Sequence, residues 1–318
     1  MNNTISVLLA VYEPNHTWLR ELLKSIRSQT RLPEELLIWD DHSSQESFEE
    51  TNRIVEQLFL ESPVKTGIYR NETNEGSDRT FEKLIRKASG NLLAFCDQDD
   101  IWEAVKLEKL SKAFEEDETV TLVYSDMTFI DENGNQIMKS LREFRPGIEF
   151  VEGSGQTWKY LAINCTPACS MMTKAEETRR TFPLFYETYS DHWFAVCLSA
   201  WGRVVFVDEP LLRNRRHGEN QTGFLEGIRT KEDYRKQRIL PMLHLVEELE
   251  KRGIHYEKED EALIFAKARE EGRLLRIWKY RRICQKYAKM DILMAFVPAP
   301  LTPKVLEMMR KRRRGKTG

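Results

Sequence analysis

The chain has 318 residues, 41% hydrophobic and 31% charged, with 49 Lys and Arg set against 51 Asp and Glu for a formal net charge of −2. That length holds one large domain or a domain with an appendage, and the composition excludes a disordered polyelectrolyte. The apolar run from Ile5 to Tyr12 is too short to span a bilayer and has no basic leader, so neither a transmembrane helix nor a signal peptide is expected.

Ile5 to Val11 is short, apolar and β-branched, which predicts a central parallel strand. Trp18, Leu19, Leu22, Leu23 and Ile26 then recur at helical spacing. Leu36 to Trp39 is a second strand ending in Asp40-Asp41, and the polar stretch led by Ser43 and Ser44 can cap the helix that carries Phe48, Ile54, Val55, Leu58 and Phe59. Gly67 to Tyr69 is a weaker third strand, Phe81, Leu84, Ile85 and Ala88 mark another helix, and Leu92 to Cys96 a fourth strand. Strand and helix alternating in this way predict an α/β fold wound on both faces of a mostly parallel sheet.

From about Val120 the rhythm changes. Val120 to Tyr124 and Met127 to Ile130 are strand-like, and the second leads into Asp131-Glu132-Asn133-Gly134, a hairpin turn. A helix starts at Ser190 or Asp191, and Val204 to Val207 and Leu211-Leu212 are further strands. Beyond Lys231 the chain reads as helical, with Ile239, Leu243, Val246 and Leu249 on one face.

Ligands of open α/β sheets bind outside the carboxyl ends of the strands. Two acidic clusters fall at such ends: Asp40-Asp41 and Asp97-x-Asp99-Asp100. Carboxylates this close repel one another, which a hard divalent cation relieves; alternatively they cap helices, as Asp100 could for a helix near Ala104. A diphosphate leaving group wants such a cation, Mn2+ or Mg2+.

Four segments together carry a resemblance: Ser6-Val7-Leu8-Leu9-Ala10-Val11-Tyr12-Glu13-Pro14, Leu37-Ile38-Trp39-Asp40-Asp41-His42-Ser43-Ser44, Asn74-Glu75-Gly76-Ser77-Asp78-Arg79, and Phe95-Cys96-Asp97-Gln98-Asp99-Asp100-Ile101-Trp102. In this order they resemble family 2 glycosyltransferases with a GT-A fold. The resemblance implies that Val11, Tyr12, Glu13 and Asp41 hold the nucleotide, with Asp41 accepting the N3–H of uracil or thymine. It implies that Arg79 lies near the base or diphosphate, that Asp97 with Gln98 faces the ribose or metal, and that Asp99 meets the metal itself. Tyr189-Ser190-Asp191-His192-Trp193-Phe194 looks like the family's later acidic motif, in which a carboxylate at a helix start is the general base; the usual Glu-Asp is Ser190-Asp191 here. His192 is read as packing or hydrogen-bonding rather than reacting.

Arg213 to Gly223 is similar to an Arg-x-His-x-x-Asn-x-x-Gly segment of bacterial rhamnosyltransferase-like members, carried here by Arg215, His217, Asn220 and Gly223. Arg216 would then contact the diphosphate, and His217 would be a metal or phosphate ligand or a loop side chain. Trp102 and Trp193 are sugar-stacking or core rings, with Trp193 read as core. The implied organisation is a GT-A catalytic domain over residues 1–230, nucleotide-binding to about 125 and acceptor-binding from 126, followed by a helical, basic region over 231–318.

From Arg273 onward there are fourteen Lys and Arg against two acids, so that segment carries about +12 and the remainder about −14. Interleaved Leu274, Leu275, Ile277, Trp278 and Tyr280 fit docking on an anionic membrane, or a helix pair packed on the domain with a solvated basic face. No nucleic-acid motif is present. The five cysteines (Cys96, Cys165, Cys169, Cys197 and Cys284) have no CxxC pairing, which predicts reduced thiols and a cytoplasmic chain, peripheral on the inner face of the membrane if the tail docks there.

The expected activity is inverting, metal-dependent sugar transfer to a cell-surface polysaccharide or lipid-linked glycan, from dTDP-rhamnose or a UDP-hexose. A nucleotidyltransferase would want a glycine-rich basic loop after the first strand, a dinucleotide oxidoreductase a GxGxxG there, and both are lacking. The non-enzymatic alternative is an inactive membrane-associated scaffold.

Overall fold

A computed structural model describes residues 3–218 and 227–314, with side chains up to Arg310. The chain divides into two compact units, one of residues up to 154 with 165–217 and a second of 155–164 with 218 onward.

The first unit opens with the predicted alternation. Strand β1 (Ile5–Val11) is followed by helix α1 (His16–Arg27), β2 (Glu35–Asp40), α2 (Gln45–Phe59), β3 (Lys65–Arg70), α3 (Ser77–Lys87) and β4 (Leu92–Cys96). Side-chain oxygens start two of the helices: Asn15 accepts from Thr17 N and Trp18 N, and Ser44 from Ser47 N. β2, β1 and β4 lie side by side and parallel, with Val7 opposite Leu36 on one side and Ala94 on the other. Every residue of β4 is buried, and β1 is buried except at Ala10, as strands covered on both faces require.

The chain then adds β5 (Ile101–Trp102), α4 (Lys106–Glu116), β6 (Val120–Ile130), β7 (Gln136–Met138), α5 (Leu141–Phe144), α6 (Thr157–Tyr160), β8 (Met171–Lys174), α7 (Ala175–Arg180), α8 (Ser190–Trp201) and β9 (Arg203–Arg215). Strand order across the sheet is β3-β2-β1-β4-β8-β6-β9-β5, with β7 paired to β6. β8 runs antiparallel to both β4 and β6, while β6 and β9 are parallel, so the sheet is mixed and mostly parallel.

Two pairs of expected short strands are single long ones. Val120–Tyr124 and Met127–Ile130 fuse into β6 because Ser125 and Asp126 are buried between them, and the Asp126 carboxylate receives Met127 N and Leu141 N. Val204–Val207 and Leu211–Leu212 fuse into β9, which carries exposed Asp208, Glu209 and Pro210 across a register shift. The Asp131–Gly134 hairpin turn joins β6 to β7 as its residues predict, with Asp131 accepting from Asn133 N and Asn135 N.

The second unit is helical and takes in α6 together with α9 (Lys231–Tyr234), a π turn over Arg235–Ile239, α10 (Leu240–Lys251), α11 (Glu259–Glu270), α12 (Leu274–Lys279), α13 (Gln285–Phe296) and α14 (Thr302–Arg314). Its interior holds a buried ion pair. Arg269 Nε donates to Asp291 Oδ2 at 2.7 Å, Tyr234 OH donates to Asp291 Oδ1 at 2.7 Å, and Arg269 Nη2 donates to Arg238 O at 2.8 Å. A buried pair of this kind survives because both charges have additional polar partners. Among the described residues no single helix is long and apolar enough to cross a membrane.

Candidate active site

The acidic turn Asp97–Asp100 lies between the buried end of β4 and the short β5, which is hydrogen-bonded to β9. Arg216 and His217 follow β9 directly, so sheet pairing brings residues more than a hundred positions apart to one strand end. His217 Nε2 lies 2.6 Å from Asp99 Oδ2, and the Trp18 ring stands 5.1 Å from the imidazole.

Arg215 is the post beneath this loop. It is buried, donates from Nε to Asp99 O and from Nη1 to Asp131 O and Glu132 O, and pairs through Nη2 with Glu21 at 2.6 Å. Asp100 does not take the alternative role of a helix cap: α4 starts six residues further on, at Lys106, with Val105 as its N-cap. Asp100 Oδ1 instead receives Arg215 N at 3.1 Å and Asn214 Nδ2 at 3.0 Å. Its Oδ2 is buried without a hydrogen-bond partner among the described residues.

Asp97, Asp100 and Cys169 bring ligand atoms within 4.8 Å of one another. Burial, then the nearby Asp99 and Asp191 charges, pushes the Asp97 carboxyl up to about 6, although a Cys169 hydrogen bond works against this. The same burial and crowding raise Asp100 well above the usual carboxylate range. Burial keeps the Cys169 thiol protonated, and the Cys165 sulfur faces the Tyr124 hydroxyl at 3.6 Å.

One positive group sits underneath. Lys106 is fully buried, its Nζ donates to Cys169 O and lies 3.6 Å from the Trp102 ring centre, and burial brings its pKa down to about 8. No sequence signal singled it out, because a lysine on the first turn of an amphipathic helix is ordinarily solvated.

Asp191 lies in the first turn of α8, where the helix dipole favours its charge, and near enough to Asp97 for the two carboxylates to repel. The starts of α3 and α8 meet, with Ser190 N donating to Asp78 Oδ1 at 3.3 Å. Next to Asp78, Arg79 is exposed, 5.6 Å from the Tyr186 ring, and has no carboxylate partner among the described residues. Arg216 is held by its N–H to Ile130 O, with Asp99 and Asp100 close, while its guanidinium lies over Phe144.

The remaining residues line the neighbouring strand ends. Tyr12 is half exposed, and the Gln98 amide clasps its backbone, accepting from Tyr12 N at 2.9 Å and donating to Tyr12 O at 3.1 Å. The Gln98 side chain thus positions Tyr12. Val11 O receives Asp41 N, and Glu13, at φ 40°, takes Ser44 N on its carboxylate. Asp41 accepts from Asn71 Nδ2 and Glu75 N on Oδ1 and from Gly76 N on Oδ2, so three of its roughly four acceptor positions are filled, two of them by the 75–76 turn.

Trp193 is buried with its indole N–H on Thr181 O, His192 meets the Thr188 hydroxyl at 2.9 Å, and Trp102 is buried in the core. Neither tryptophan offers a face to a sugar. Asn220 and Gly223 of the Arg213–Gly223 segment lie outside the described residues. A shallow cavity of about 390 Å³ beside Glu13, lined also by His16, Ser44 and Arg53, contains none of the clustered acids and is not the site.

The family model for glycosyl transferase family 2 matches residues 6–178, more than half of the chain. This chain belongs to glycosyl transferase family 2. Among proteins similar to it is an uncharacterized glycosyltransferase, MJ1057 of Methanocaldococcus jannaschii, 32% identical over 142 residues, which are 45% of this chain and 46% of that protein. Another is WfgD of Escherichia coli, named a UDP-Glc:alpha-D-GlcNAc-diphosphoundecaprenol beta-1,3-glucosyltransferase, 29% identical over 52% of this chain and 57% of its own. The chain thus spans about half the length of these two relatives. The fold is similar to that of S. aureus TarS 1–349, solved with UDP-GlcNAc, at TM-score 0.58 and 17% identity over 86% of this chain and 75% of that one. The mostly parallel α/β sheet expected of a GT-A domain is therefore the fold observed.

Proposed function

We propose that this chain is an inverting, metal-dependent glycosyltransferase that moves a sugar from a pyrimidine nucleoside diphosphate to a glycan acceptor. The observation that carries this is the convergence of Asp97, Asp99, Asp191, Arg216 and His217 at the carboxyl end of β4. Tyr12 and Asp41 would flank the base, Asp41 through its one remaining acceptor position, and Arg79 and Arg216 would meet the diphosphate.

The site fits Mn2+ or Mg2+. The crowded, buried carboxylates raise one another's pKa, and a buried Asp100 oxygen lacks a hydrogen-bond partner among the described residues. Asp97, Asp99 and His217 would hold the ion, which when bound neutralises charge growing on the departing diphosphate. The chain's own residues do the rest. Asp191 would take the proton of the acceptor hydroxyl as that oxygen attacks the sugar from the face opposite the nucleotide.

Two donors are supported. The Arg215-x-His217 likeness points to dTDP-rhamnose, whereas WfgD is named for UDP-Glc and TarS was solved with UDP-GlcNAc. The WfgD name also supports a lipid-diphosphate-linked glycan as acceptor. Thermal shift of the full chain against a panel of sugar nucleotides, with Mn2+ or with EDTA, tests the proposal. Stabilisation by a dTDP- or UDP-sugar that EDTA abolishes is expected; no response to any sugar nucleotide would overturn it.

A further inference from the structure

The second unit carries an open cavity of about 420 Å³ lined by Trp158, Lys258, Arg281, Arg282 and Gln285. Three of its five walls are cationic and none is acidic. No carboxylate pairs with Lys258, Arg281 or Arg282 among the described residues; aromatic rings hold two of the cations instead. Lys258 Nζ stands 3.6 Å from the Trp158 ring centre, and the Arg281 guanidinium lies 4.3 Å over Trp278 while donating to Trp278 O. Uncompensated cations grouped around a cavity attract one another's counter-ion, and a phosphate suits guanidinium and ammonium together.

Lys258 adopts φ 63°, the left-handed region that glycine or asparagine occupies with less strain, at the residue that opens α11.

The apolar surface beside the cavity identifies the source of the phosphate. Leu275 is 89% exposed and Trp278, the ring beneath Arg281, is 49% exposed one helical turn away. Elsewhere in the same unit, Ile292 to Pro303 contains no charged residue, α13 and α14 bend by 119° across it, and Phe296 is 75% exposed there. Lys286 and Lys289 precede this elbow, and Lys304 and Arg310 follow it. A free anion or a nucleic acid needs no such apolar surface, whereas a bilayer interface does.

We propose that the C-terminal unit docks on an anionic bilayer, with a phospholipid phosphate held between Lys258, Arg281 and Arg282 and with Leu275, Trp278 and the Phe296 elbow entering the interface. The argument rests on this unit alone and not on sugar transfer.

The test is co-sedimentation of the full chain with phosphatidylcholine vesicles with and without phosphatidylglycerol. Binding is expected only with phosphatidylglycerol. Combined Lys258→Asn, Arg281→Gln and Arg282→Gln should lower partitioning on the order of a hundredfold, from about tenfold or less per cation. Leu275→Ser with Phe296→Ser should lower it by about tenfold or more. Arg281→Lys with Arg282→Lys controls for folding and should keep most of the binding, and Asp191→Asn should sediment like the parent chain, which separates this proposal from the transferase reading. Equal binding to pure phosphatidylcholine, no binding to either vesicle, or an unchanged charge variant would overturn it. So would inorganic phosphate stabilising the protein in the absence of any vesicle affinity, since the cavity would then serve a free anion.

Discussion

Asp191 is the residue whose chemistry can be isolated most cleanly. It lies near Asp97 but is not one of Asp97, Asp99 and His217, the proposed ion ligands, so changing it leaves those ligands in place. Asp191→Asn should keep the dissociation constant for the nucleotide and lower turnover by at least about a hundredfold, the low end for loss of a general base. Steady-state rates beside nucleotide titrations check this. Lys106 offers a second measurement. Its proton leaves the folded chain near pH 8 but the unfolded chain near 10.5, so the unfolded state binds more protons between those values. Stability from this group therefore rises with pH across that window. Thermal midpoints of Lys106→Met should lack the rise that the parent chain shows between about pH 8 and 10.5. The site's acids were legible in the sequence because several carboxylates after a buried strand are hard to explain otherwise. Lys106 and the hold of Arg215 on Asp99 were not, since both depend on which helix and which strand end happen to pack against the turn.

At the level of elements, the first 100 residues follow from periodicity alone. β1 and β4 were readable because continuous β-branched or apolar runs have one stable place, the middle of a parallel sheet. β6 and β9 were read as fragments because local hydrophobicity cannot show that a polar pair such as Ser125-Asp126 is compensated by a distant Leu141 amide. The junction of β1 with β4 depends on a close approach at Gly90, where an added Cβ would come within 2.6 Å of Ser6 Oγ and 2.8 Å of Ser6 N. Part of that obstruction is backbone of a buried strand, which cannot give way. Gly90→Ala should cost about 1–3 kcal/mol, the usual range for overpacking, with an unchanged m-value in urea unfolding.

Across the molecule, the sequence shows a basic tail and an acidic remainder, and the second unit turns that charge into a particular surface with a cavity in it. The extent of that unit could not be read in advance. Residues 155–164 belong with the C-terminal helices although they lie between two stretches of the first unit, and nothing in their composition marks them. Translation delivers these ten residues well before any of the helices they join. A nascent chain that folds from its N-terminus must therefore carry Trp158 without its Lys258 partner while the second half of the sheet is still being made. A ribosome stalled after β9 would present Trp158 without Lys258, whose ammonium stands over its ring, and synthesis of α11 would be the event that completes this wall of the cavity.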